Sequence, residues 1–141
     1  MILFPAIDLY EGRAVRLYKS MNLGGKIGMV NCISDTTPAN PKEEDIGAVE
    51  RQIERDFFWW TQTAMEGTYP QILIRECAFI RDNMPENYQA DLDKYFIPMD
   101  FIGVNYYISN RTSYNPDKPL LSDRVTSFYA APGQSFAPYP A

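Results

Sequence analysis

The sequence contains no histidine. That excludes Ser-His-Asp and Cys-His catalysis, the usual zinc sites and an imidazole general base. Cysteine is scarce as well: Cys32 and Cys77 lie far apart with no CxxC spacing, and they read as two buried thiols rather than a disulfide or a metal pair. No metal and no cofactor are therefore expected. No apolar run approaches the roughly 18 residues of a membrane span. The opening residues lack a basic region followed by an apolar one, so neither a membrane partner nor a secretory leader is expected. Positive charge is in deficit, 13 Lys+Arg against 18 Asp+Glu for a net charge of −5, which argues against nucleic acid as a partner. A cytoplasmic protein is the resulting expectation, and in that setting the sequon Asn110-Arg111-Thr112 reads as chance.

What is present is globular. Hydrophobic residues make up 45% and charged residues 22%, outside the range of a disordered chain. The 141 residues suffice for one domain with a core but fall short of the ~250 of a full eight-fold α/β barrel. With imidazole excluded, any chemistry falls to carboxylates, with lysine or tyrosine in support.

Along the chain, ILFPAI (2–7) reads as a short strand ending at Asp8, RAVRLYK (13–19) alternates as a second over 14–18, and KIGMVNC (26–32) is a third, after a turn at NLGG. TTPANPKEED (36–45) reads as a loop running into a helix. Ile46, Val49, Ile53, Phe57, Trp60 and Ala64 recur at three or four residues and predict an amphipathic helix over 43–65, ended by Gly67. Glu43, Glu44, Asp45, Glu50, Glu54 and Asp56 read as its solvated face, and Phe57, Phe58, Trp59 and Trp60 as core packing rather than a sugar platform. Helices over 70–81 and 86–96 follow, then a strand over 100–108. SNRTSYNPDKPLLSD reads as loop, RVTSFYA (124–130) as a strand and APGQSFAPYPA as a proline-rich, mobile end. The strand DFIGVNYYISN finishes in Asn105, Tyr106 and Tyr107, polar groups that suggest a pocket at its carboxyl end.

AVRLYKSMNLGGKIGMVN, PANPKEEDIGAVERQIERDFFWWTQTAMEGTYP and MDFIGVNYYISN together resemble glycoside hydrolase family 1, the β-glucosidases and 6-phospho-β-glycosidases, over about two-thirds of the chain. The resemblance implies a segment from the later middle of a (β/α)8 barrel. It also implies that Tyr107 hydrogen-bonds a nucleophilic carboxylate and that Asn105 shapes the site around a glycosidic bond. Retaining glycosidases use two carboxylates about 5–5.5 Å apart; the family's NEP and TENG-like motifs that supply them do not occur here, and Glu86-Asn87, the nearest match, lies in the wrong order.

MILFPAIDLYEGRAVRLYK resembles instead the N-terminus of the phosphoribosyl-formimino isomerase of histidine biosynthesis. That implies an acid/base role for Asp8, whose plainer reading is a strand-end or turn residue. The two resemblances meet at AVRLYK, as in a chimera. The expectation is an α/β fold, a partial (β/α)8 barrel with an open sheet and about three helices. It divides into an isomerase-like segment 1–19, a glycosidase-like partial barrel 20–123, and a strand with a proline-rich tail 124–141. Expected partners are a sugar or glycoside ligand, a second copy, or a complementary piece of barrel.

Overall fold

The computed structural model describes the backbone over residues 4–129 and the side chains over 12–125. Residues 2 and 3 and the expected mobile tail beyond about 131 lie outside the described residues.

The first correction is at the amino end, where the two expected strands at 2–7 and 14–18 are one helix, α1, Phe4–Ser20. The stretch satisfies period two and period 3.6 alike, and a tertiary partner decides between them. Val15 is buried, and a Cβ on Gly12 would sit 3.2 Å from the Tyr95 carbonyl oxygen. Arg16 Nη2 donates to the Lys94 carbonyl at 2.9 Å and Lys19 Nζ to the Pro98 carbonyl at 2.7 Å. Positions 12, 15, 16 and 19 lie on one helical face. Leu17, which strand alternation would place beside Val15, is 65% exposed.

A turn with Asn22 and Gly24 at positive φ leads into β1, Gly28–Pro38. It pairs in parallel with β2, Phe101–Tyr114, and β3, Ser122–Tyr129, adds antiparallel to the distal half of β2. The order is β1-β2-β3. Both β1 and β2 outrun their expected ends, and residues 36–38 and 109–114, read as loop, are strand. Their Ser, Thr and Asn residues carry no alternation signal, and ladder partners in distant sequence supply the hydrogen bonds. Asp100 clamps the two amino ends together: its Oδ2 accepts the Ile27 N–H at 2.9 Å and its Oδ1 the Lys19 ammonium at 3.1 Å, while its own N–H donates to the Ile27 carbonyl at 2.8 Å. The Ile27 N–H, with Lys19 beside it, holds this carboxyl below its usual pKa.

The crossover from β1 to β2 is helical. The helix expected over 43–65 runs from α2, Glu43–Ile53, through a π-helical turn at Glu54–Phe58 into α3, Trp59–Glu66. Gly67 closes it at φ 70, where a Cβ would meet the Phe96 ring at 2.7 Å. The helix expected over 70–81 breaks at Cys77 into α4, Gln71–Glu76, and α5, Ala78–Arg81, and α6 spans Tyr88–Tyr95. Trp59, Tyr69, Leu73, Cys77, Ile80 and Leu92 form the core, with Tyr69 wedged 5.0 Å from Trp59 and 5.6 Å from Tyr88 between ring centroids. Trp59 packs as expected, whereas Phe58 is exposed. Cys77 is buried and burial raises its pKa; Cys32, expected to be buried, is exposed, and both thiols are free.

Candidate functional site

The carboxyl ends of β1 and β2 lie side by side, because the strands run parallel from the Asp100 clamp. Asn31 Nδ2 donates to the Asp56 carbonyl in the π-helical turn at 3.2 Å, so odd positions of β1 near Asn31 face the helices. Val30 and Gly103 meet on the other side, since a Cβ on Gly103 would lie 3.1 Å from Val30 Cγ2. Alternation then puts Phe101, Gly103, Asn105 and Tyr107 on the sheet face away from the helices, and Ile102, Val104 and Tyr106 toward them. Met29 and Val104 therefore lie on the helix side, and Val30, Cys32 and Gly103 stand on the open face.

The ladder slips at this point. Ile33 is opposite Tyr106 but Ser34 is opposite Ile108, which leaves Tyr107 as the extra residue on β2. A bulge terminates regular pairing and re-aims a side chain, and such bulges gather beside active sites. Tyr107 is 55% exposed, and Asn105, paired with Cys32, is half-buried on the same face. The Asn-Tyr-Tyr of the sequence is thus the place where the sheet stops being regular and offers an amide and a phenol to whatever lies over it.

On the helix side the same strand ends form a cleft of about 220 Å³ lined by Ser34, Asp35, Thr36, Asp56, Phe57 and Tyr106, with Ile33 and Ile53. Tyr106 Oη lies 2.7 Å from Ser109 Oγ. Asp56 is occupied: Oδ2 accepts Gln52 Nε2 at 2.7 Å and Oδ1 accepts Arg55 Nε at 2.6 Å, with Arg124 at 3.7 Å from Oδ2. The Oδ2 of Asp35 is buried without a hydrogen-bond partner. Both carboxylates thus open to the helix-side cleft, on the opposite side of the sheet from Asn105 and Tyr107.

The remaining acidic positions divide. Glu43, Glu44 and Glu50 are solvated as expected, and three others are corrections. Asp45 is buried and accepts the Tyr114 N–H at 2.7 Å and both Asn40 donors at 3.0 Å; those bonds, the Tyr114 N–H foremost, hold its pKa low. Asp56 is tied into the network just described. Glu54 is half-buried, and burial raises its pKa against the partial relief of the Leu73 and Ile72 N–H groups. Asp45 and Asp56 sit where the helix meets the sheet and Glu54 against α4, placements that charge pattern alone does not reveal. Glu86 and Asn87 are exposed just before α6. Asn110 of the sequon is 1% exposed in the central strand, closed to modification in the folded chain. Among the described residues no group of three His, Cys, Asp or Glu could hold a metal, and no helix is long and apolar enough to cross a membrane.

Asp8 falls inside α1 rather than at a strand end, and its side chain lies outside the described residues. The sequence reading singled out Asn105 and Tyr107 and missed the bulge that presents Tyr107. The doubled tyrosine at the end of an apolar run was its only trace.

Comparison with known proteins agrees with this geometry. The family model "Glycosyl hydrolase family 1" matches residues 6–130, which includes most of the segment that resembles the isomerase. The oleuropein β-glucosidase of Olea europaea is 32% identical over 121 residues, 84% of this chain and 21% of its own length. A 6-phospho-β-glucosidase of Bacillus subtilis is 30% identical over 141 residues, 93% of this chain and 29% of its own. Among solved structures, the family 1 β-glucosidase of Thermotoga maritima superposes with a TM-score of 0.73 at 32% identity, over 82% of this chain and 26% of that one. The Thermotoga maritima β-glucosidase in complex with deoxynojirimycin superposes with a TM-score of 0.76 at 29% identity, over 87% of this chain and 27% of that one. The chain thus spans about a quarter of the length of these relatives, and its open three-stranded sheet with crossover helices is an α/β, partial (β/α)8 barrel. It belongs to glycosyl hydrolase family 1.

Proposed function

We propose that this chain is the part of a family 1 β-glycosidase barrel that presents Asn105 and Tyr107 to a sugar, and that by itself it hydrolyses no glycoside. The observation that carries this reading is the uncovered face at the carboxyl ends of β1 and β2. It holds an amide and a bulge-presented phenol, while Asp35 and Asp56 open to the helix-side cleft. A retaining glycosidase needs an acid/base and a nucleophile flanking the scissile bond at about 5–5.5 Å. Each contributes orders of magnitude in rate. In this reading Tyr107 holds a nucleophilic carboxylate and Asn105 orients the sugar, both toward groups that lie beyond these residues. The relative solved with deoxynojirimycin, a sugar-like inhibitor, supports a sugar as the ligand class. No cofactor enters the scheme, and its setting is cytoplasmic.

A chimera with an isomerase is the competing reading, and two observations weigh against it. The family 1 match begins at residue 6, ahead of the AVRLYK seam, and the backbone around Asp8 is helical. Purified protein assayed with aryl β-glucosides and their 6-phosphates tests the proposal. No turnover is expected, and turnover abolished by replacing one carboxylate of this chain refutes it. Glucose titrated against tryptophan fluorescence should show affinity no tighter than about millimolar, because most of a pocket's walls are missing.

A further inference from the structure

We propose that the helix-side cleft at the carboxyl ends of β1 and β2 binds a small organic cation, a primary ammonium on a single-ring apolar body, with Asp35 as its counter-ion. Two breaks in regular backbone meet at this cleft. The β1–β2 ladder slips between Ile33 and Ser34, and the crossover helix passes through the π-helical turn Glu54–Phe58. Irregularities of both kinds gather at functional sites. Between them about 220 Å³ stands open, where a packed interior leaves few voids larger than a water. Asn31 Nδ2 ties the turn to β1 through the Asp56 carbonyl at 3.2 Å, so this wall is set before any ligand arrives. The helix side of β2 is only partly covered at this height: Val104 is 51% and Tyr106 39% exposed, which leaves a way in.

Charge and shape select the ligand class. Asp56 is already balanced by Arg55 and Arg124 and bonded to Gln52. Asp35 is not: among the described residues no cation pairs with it, and its Oδ2 is buried without a hydrogen-bond partner. An ionised carboxylate withdrawn from water needs donors and a countercharge. A neutral sugar supplies donors but no countercharge, and an anion opposes Asp35. An ammonium supplies three donors and one positive charge. Ile33, Ile53 and Phe57 offer apolar walls, and Tyr106 adds a ring whose face attracts a cation. The volume equals that of about seven waters at ~30 Å³ each, room for one six-membered ring with a short arm.

The test titrates the folded chain with benzylamine at pH 7, where an alkyl amine is protonated, by calorimetry and by amide NMR shifts. Binding with a Kd of about millimolar is expected for so few atoms. Benzyl alcohol, the uncharged analogue, should bind at least about tenfold more weakly, because it leaves the Asp35 charge unpaired. Asp35→Asn should lose about the same factor, and Glu86→Gln, at an exposed acid before α6, should change nothing. On the unaltered chain the shifts should cluster at 33–36, 53–57 and 106, which locates the ligand even if Asp35→Asn fails to fold. Four results overturn the proposal: no binding, benzyl alcohol as tight as benzylamine, shifts clustered elsewhere, or Glu86→Gln as costly as Asp35→Asn. The glucose titration reads the opposite face of the sheet, so failure here leaves the sugar reading standing.

Discussion

Arg51 should be the most costly polar side chain to remove from this fold. Its side chain is 8% exposed, on the face of α2 toward the sheet. Nε donates to the Leu120 carbonyl at 3.1 Å, Nη2 to the Leu121 carbonyl at 3.2 Å and Nη1 to Glu76 Oε2 at 3.1 Å, and the guanidinium stands 5.9 Å from the Tyr114 ring centroid. The two carbonyls belong to the connection between β2 and β3, where Leu121 is held at φ 52. Charge-assisted hydrogen bonds contribute about 1.5–3 kcal/mol each, so the pair is worth about 3–6. The Glu76 carboxylate is 36% exposed, and its ion pair adds less than about 1 kcal/mol. Freeing the side chain on truncation returns up to about 2 kcal/mol of rotamer entropy. Arg51→Ala should therefore destabilise by about 2–5 kcal/mol, a large share of a small domain's ~5–15. Urea unfolding followed by far-UV circular dichroism measures it. Arg51→Lys should recover less than half, because an ammonium cannot serve two carbonyls and a carboxylate in one plane. If Arg51→Ala lies within about 1 kcal/mol of the parent, or Glu76→Gln costs as much as Arg51→Ala, the carbonyl bonds are not what anchors the loop and the reasoning fails.

Leu73→Ala, at a fully buried core position, should cost about 2–5 kcal/mol in the same experiment, whereas Phe58→Ala, at an exposed one, should stay within about 0.5 kcal/mol. Asp45, with its pKa held below the ordinary 3.8, stabilises the fold above that pH and loses its contribution as pH falls through the lower folded value; Asp45→Asn should flatten the acid limb of stability below pH 3.8. Glu54 has the opposite sign: its folded pKa is raised above 4.5, so its ionised form is disfavoured in the fold. Glu54→Gln should raise the melting temperature at pH 7, and the gain should vanish below pH 4.5. A histidine auxotroph lacking the phosphoribosyl-formimino isomerase should not grow on this chain, and rescue that Asp8→Asn abolishes would restore the isomerase reading.

Elements with one strong period were legible in the sequence. The helix over 43–65 has apolar residues at three- and four-residue spacing and a glycine stop, and it forms across a π-helical turn that no composition signal marks. The strand beginning at Phe101 was legible for the same reason: its local residue types sufficed. Tertiary contacts decided the rest. Residues 4–20 fit either period, and only the surface of α6 and the Pro98 and Asp100 acceptors select the helix. The distal halves of β1 and β2 are polar, and their strand form depends on partners about seventy residues away in sequence. Which carboxylates are buried is likewise a property of where the long helix meets the sheet and α4, and the aim of Tyr107 follows from a ladder slip that exists only when two strands are paired. Periodicity records which side of an element is apolar. The neighbour that side meets, and the register in which it meets it, are set by the fold.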